Sequence, residues 1–218
     1  MAQIFSPAAD TWFRLALLGG LAVVAGGTVA IVGFARSDYV TSTGFRPSQP
    51  IPFSHRHHAG ELGIDCRYCH SGVETAPQAG LPPTETCMTC HSQLWTQAPL
   101  LAPVRESLAT RQPIQWNRVH DLPDFVYFDH SIHLHKGVGC STCHGRVDRM
   151  PLVWKDQTLY MKWCLECHRQ PEKFVRPKSE LFNMAWSAPD DQIAAGRKLL
   201  AQNHIPAWKL SECSVCHR

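Results

Sequence analysis

Ten cysteines in this 218-residue chain resolve without remainder into five copies of C-x-x-C-H: CRYCH at 66–70, CMTCH at 87–91, CSTCH at 140–144, CLECH at 164–168 and CSVCH at 213–217. Two thiols three positions apart lie on one side of a turn, where they can add across the vinyl groups of a porphyrin. The histidine that follows then reaches the iron from one face. Cys66, Cys69, Cys87, Cys90, Cys140, Cys143, Cys164, Cys167, Cys213 and Cys216 are the candidate covalent anchors of five haem c groups. His70, His91, His144, His168 and His217 are the candidate proximal ligands.

Zinc is the competing chemistry. The gaps between Cys69 and Cys87 and between Cys143 and Cys164 both fit a zinc-ribbon template. A zinc ribbon does not require a histidine after every second cysteine, however. With 13 histidines in 218 residues, five out of five by chance is on the order of one in a million. Disulfides or thioredoxin-like redox pairs leave the same histidines unexplained.

A haem that carries electrons needs a sixth ligand. FSHRHHAGELGIDCRYCHSGVETAP at 53–77 and FDHSIHLHKGVGCSTCHGRVDRMP at 128–151 form an internal repeat, and both begin F-x-H-x-x-H. His55 and His58, with His130 and His133, are the candidate distal ligands. Three positions apart, they lie on neighbouring faces of one helical turn and can address two different rings. For the fifth distal position the candidates are His120, which the sequence favours, then His204, Met161, His57 and His135. His57 and His135 have no counterpart in the other repeat and read as surface or propionate-contacting side chains. Met161 would raise a haem's potential relative to bis-histidine, although a core-filling role is commoner for Met.

Residues 15–35, LALLGGLAVVAGGTVAIVGFA, carry no charge over twenty-one positions. As a helix they extend about 31 Å, against a hydrocarbon core of about 30 Å. Trp12 and Tyr39 flank the run at interfacial positions. A signal-peptide core is shorter, so an uncleaved anchor is expected. Ala22, Gly26 and Ala30 form a smooth ridge on which a second helix could pack. Arg14 and Arg36 balance each other and do not orient the anchor. Haem attachment on the outer side of the cytoplasmic membrane does, leaving the N-terminus cytoplasmic and the haem region periplasmic or extracytoplasmic.

The formal charge is +3 with no basic run, which argues against nucleic acid as a partner. Residues 37–218, 182 in all, serve five haems, too little polypeptide for an ordinary core. The expected fold is mainly irregular with short α-helices, a multihaem core and one transmembrane helix. The expected organisation is a cytoplasmic N-terminus at 1–14, the anchor at 15–35 and a Ser/Thr/Pro-rich tether at 36–52. A first diheme unit with its connector follows at 53–127, a second at 128–175, and a C-terminal helix with the fifth haem at 176–218. Short helices are expected at 103–111, and from a cap at Asp190 to a stop at Asn203.

RPSQPIPFSHRHH, GIDCRYCHSGVE, VHDLPDFVYFDHSIH, LHKGVGCSTCHG and MKWCLECHRQPE resemble the pentahaem, membrane-anchored cytochrome c subunit of alternative complex III. The diheme repeat is also similar to elements of the multihaem class III cytochromes. The first resemblance implies an electron relay in a quinol-oxidising respiratory or photosynthetic complex, delivering to a soluble carrier or an oxidase. It further implies an iron–sulfur subunit and quinol-binding membrane subunits as partners, with no bond-making site on this chain. Two alternatives compete with a relay. A self-sufficient, single-anchor quinol dehydrogenase would need a proton acceptor near the membrane, for which Asp38, Glu61 and Asp65 are available. A reductase of small oxyanions would need an open haem, and the surplus of histidines counts against it.

Overall fold

The computed structural model describes Ile4 and residues 6–217. It divides into two compact units between Thr43 and Gly44. The first unit is built on α1 (Pro7–Ala35), 29 residues long and about 43 Å in extent. It starts eight residues earlier than the uncharged run: Ser6 accepts from the Ala9 amide at 3.2 Å, and Pro7 supplies a preset φ at the first helical position. None of its side chains is buried, and it is long and apolar enough to cross a membrane. The expected tether is not wholly extended, because Asp38–Thr41 form a short α2.

The second unit is helical and irregular. Every C-x-x-C-H sits on a short helix or at its end: α3 (Cys66–Cys69), α4 (Thr84–His91), α7 (Cys140–His144), α8 (Met161–Arg169) and α10 (Cys213–Cys216). The helical turn places each cysteine pair on one face. Between them lie α5 (Ala102–Thr110), α6 (His130–His135) and α9 (Gln192–Gln202). α9 begins after Asp191, not Asp190, and ends before Asn203. No strand forms among the described residues; Val126 meets His217, and Val138 meets Val175, as single antiparallel bridges.

The two repeats differ by one residue, and the backbone accounts for it. Phe53 and Phe128 are 75 apart, whereas Cys66 and Cys140 are 74 apart, so the first repeat holds one extra residue between His58 and Cys66. There the chain forms a π-helix, Arg56–Glu61, with the Leu62 amide on the His57 carbonyl at 3.0 Å. The corresponding α6 is α-helical. A π-turn takes up one additional residue without unwinding the helix, so both histidine pairs keep their aim.

The repeats lean on each other. The Arg56 amide donates to Met150 at the end of the second repeat (3.0 Å), and the His130 amide donates to Pro77 at the end of the first (3.0 Å). Gly60 lies so close to Asp148 that a β-carbon would meet that backbone carbonyl. Conventional core is sparse. Ile51, Leu101 and Val104 make one small cluster, and Val73, Leu134 and Leu181 another. Met150 and Val175 are the largest fully buried side chains.

Candidate haem-binding site

Four histidine pairs face one another at nearly one spacing. His55 and His70 have ring centres 6.3 Å apart and planes 1° from parallel. His130 and His144 stand at 6.2 Å and 10°. His58 with His91 (6.3 Å, 67°) and His133 with His168 (6.2 Å, 32°) repeat the distance with larger angles between the ring planes. In each pair one member comes from F-x-H-x-x-H and the other from C-x-x-C-H. Two metal–nitrogen bonds of about 2.0 Å, plus roughly 1.1 Å from each nitrogen to its ring centre, place two axial imidazoles about 6.2 Å apart.

The ring nitrogens support the same fit. His70 Nδ1 lies 2.8 Å from the Gly80 carbonyl, His91 Nδ1 3.2 Å from Leu94, His168 Nδ1 2.8 Å from Leu210 and His217 Nδ1 3.1 Å from Phe125. On the other side, His58, His130 and His133 reach Ser54, Pro77 and Asp129 at 2.9, 2.8 and 2.7 Å. A carbonyl only accepts, so each Nδ1 carries the proton and donates it. That leaves Nε2 as a free lone pair for iron. His55 Nδ1 is buried without a partner. The residues present therefore fit covalently held haem with two axial imidazoles at the first four motifs.

Zinc fits poorly. Among the described residues no three Cys, His, Asp or Glu side chains converge as a metal site. Nor do the thiols suit redox exchange, which uses lowered pKa values. Burial pushes Cys140 and Cys167 up to about 11 and Cys143 up to about 12. Burial also holds His55 at about 4 and His144 at about 3, so both imidazoles are neutral at physiological pH. Each also feels the other histidines around it: His70 and His58 act on His55, and His120, His130, His70 and His55 act on His144. The pairs from the first and third motifs are thus neighbours in space.

The remaining candidates divide. His120, the favoured candidate for the fifth distal position, meets His144 edge to face at 4.4 Å, and its Nε2 is buried without a partner. His144 thus has a second histidine ring beside it, besides that of His130. His204 is exposed, with a left-handed backbone at φ 49°. Met161 is 63% exposed. Among the described residues no ring contact joins His217 to His204 or His120, and Met161 is not brought against it; the ring contact of His217 is with Phe125, at 5.8 Å. His57 bonds Glu61 at 2.9 Å and stacks on Trp95, while His135 is exposed. Sequence reasoning missed the carbonyl acceptors, which carry no residue signature. It also missed Arg176, a buried cation beside the third motif.

Comparison with known proteins agrees with this chemistry. The cytochrome c3 family model matches residues 132–218, which hold the third, fourth and fifth motifs. The chain is also 33% identical over 141 residues to the menaquinone reductase, multihaem cytochrome c subunit, of Nitratidesulfovibrio vulgaris (strain Hildenborough). That alignment covers 55% of this chain and 67% of the relative. With C-x-x-C-H motifs on short helices, histidines facing them in pairs and this relative, the chain belongs to the multihaem c-type cytochromes, electron-transfer subunits that hold haem c covalently.

Proposed function

We propose that this chain is a pentahaem electron relay anchored to the cytoplasmic membrane by α1, serving a quinol-oxidising complex similar to alternative complex III. The observation that carries the reading is the set of four imidazole pairs at 6.2–6.3 Å. A site with both axial positions filled by protein has nowhere for a substrate to bind, which favours electron transfer over bond-making chemistry. Bound haem c supplies iron that alternates between ferric and ferrous states, accepting and releasing one electron at a time.

In this reading His70, His91, His144 and His168 are proximal ligands and His55, His58, His130 and His133 their respective distal partners. His217 is the proximal ligand at the fifth motif. His120 stands beside His144 with an unpartnered Nε2 and remains the candidate for the fifth distal position. Backbone carbonyls fix the tautomer and orientation of His58, His70, His91, His130, His133, His168 and His217, so little has to move there when charge arrives. Because adjacent distal histidines share one turn, His55 with His58 and His130 with His133 hold the first and second sites, and the third and fourth, close together. His144 also feels the charge of His70 and His55, which brings the two halves within electrostatic reach of each other.

The partners in this reading are an iron–sulfur subunit, membrane subunits that bind quinol, and a soluble carrier or oxidase. The name of the relative favours a second reading, in which the same relay delivers electrons toward menaquinone. The experiment is stopped-flow absorbance of the haems with quinol as reductant, on the isolated chain and on the assembly purified through it. Rapid reduction of the assembly alone supports the relay. Equally fast reduction of the isolated chain replaces it with a self-sufficient quinol dehydrogenase. Rapid reduction from a soluble donor, with none from quinol in either sample, supports the reverse direction.

A further inference from the structure

Arg176 is a buried cation that makes no ion pair among the described residues. It is only 3% exposed, and the structure closes over it with protein alone. Its hydrogen bonds go to neutral groups: Nη1 donates to Ser141 Oγ at 3.1 Å and Nη2 to Thr142 Oγ1 at 2.8 Å, with a longer 3.5 Å contact to the Asn183 carbonyl. Its guanidinium carbon lies 4.3 Å from the Trp186 ring centre, a contact that partly offsets a cation's loss of water. Nε is buried without a partner. Glu180 is the carboxylate that acts on it, yet that side chain accepts from Asn183 Nδ2 at 2.7 Å instead of pairing with the arginine.

The position of this charge is specific. Ser141 and Thr142 are the two intervening residues of CSTCH, so the guanidinium lies directly against the helical turn between Cys140 and Cys143. Gly139 makes room for it: a β-carbon there would come within 2.5 Å of the guanidinium carbon. Burying an unpaired charge is costly, and the two hydroxyls could be served by neutral side chains. What a neutral residue cannot supply is the field. A fixed positive charge favours whichever state of a neighbouring centre is less positive, and for iron that is the ferrous one.

We propose that Arg176 sets the reduction potential of the haem held at Cys140 and Cys143, raising it above what the His130–His144 pair alone would give. The step concerned is the gain of one electron by ferric iron, with no bond made or broken. The proposal rests on the reading that CSTCH carries a haem.

The test is spectroelectrochemical titration of the assembly purified through this chain, comparing Arg176→Gln, Arg176→Lys and Ser141→Ala/Thr142→Ala. In Arg176→Gln one haem's ferrous-to-ferric ratio at fixed potential should fall about tenfold, a downward shift of about 59 mV for one electron. Lys should restore most of it. The shift should persist in high salt, because a buried charge is poorly screened. The double hydroxyl variant keeps the charge and should leave the potentials in place. Unchanged midpoints in Arg176→Gln, with full haem content, overturn the proposal. So does a shift in the hydroxyl variant equal to that in Gln, since it assigns the effect to turn geometry. Should Gln lose haem, the Lys and hydroxyl variants decide between charge and geometry. Haem content unaltered in Cys140→Ala/Cys143→Ala would instead remove the underlying reading.

Discussion

At the residue scale, the pairing of histidines makes an asymmetric prediction within a single turn. His133 faces His168 and has its Nδ1 tied to the Asp129 carbonyl, whereas His135, two positions on in the same helix, is exposed. His133→Ala should convert one low-spin haem signal to high-spin in electron paramagnetic resonance, and His135→Ala should change none. A second residue-scale prediction concerns acid. Arg67 donates from its side chain and its backbone to Asp65 (2.8–2.9 Å), holding that carboxyl down at about 2. A carboxyl with a lowered folded pKa stabilises the fold above its unfolded value of about 4, and the contribution is lost as pH falls toward 2. The side chain is 46% exposed, so screening keeps the effect under about 1 kcal/mol. Denaturant midpoints of wild type and Asp65→Asn should differ at pH 6 and converge between about pH 4 and pH 2.

At the scale of elements, close backbone approaches decide what can dock. Gly196 in α9 lies against the Glu172 carbonyl, where a β-carbon would collide with the backbone. Gln192 from the first turn of α9 fixes the same neighbour, donating to Glu172 at 2.8 Å and Val175 at 2.9 Å. Gly196→Ala, normally a gain in a helix, should instead cost about 1–3 kcal/mol through overpacking, read as a lower thermal midpoint with haem content retained. Much of this level was legible in the sequence. Cysteine spacing, the F-x-H-x-x-H repeat and the apolar run mark their own elements, because covalent attachment, axial ligation and bilayer thickness each impose a fixed period. The single-residue offset between repeats was legible too, but not its solution as a π-turn. What stayed hidden depends on segments far apart in the chain. The cross-docking of Arg56 on Met150 and His130 on Pro77 is one case, the placing of His120 against His144 another, and the burial of Arg176 a third. The donors and acceptors there are mostly backbone groups, which every residue carries.

At the scale of the molecule, the scarcity of ordinary core sets what the chain needs in order to stay folded. Two three-residue clusters with a few flanking side chains are far below what a domain of 175 residues normally buries. The porphyrins are expected to supply the missing apolar surface. Chain made without haem attachment should therefore be cleaved by protease throughout residues 44–218, while the loaded chain resists. The proposed anchor makes a separate prediction, because the chain divides into two compact units between Thr43 and Gly44. None of the side chains of α1 is buried, and the helix is compatible with a single-pass membrane anchor whose apolar surface would meet lipid or other helices. Removing residues 1–36 and supplying a cleavable export signal should release the haem-bearing unit from the membrane fraction, with its haem-to-protein ratio and low-spin spectrum unchanged. If the shortened chain stays with the membrane fraction and washes off only in detergent, partner subunits hold it there and the helix is not its main attachment. If it is released but loses haem, the anchor contributes to folding, and the division at Thr43 does not describe independent units.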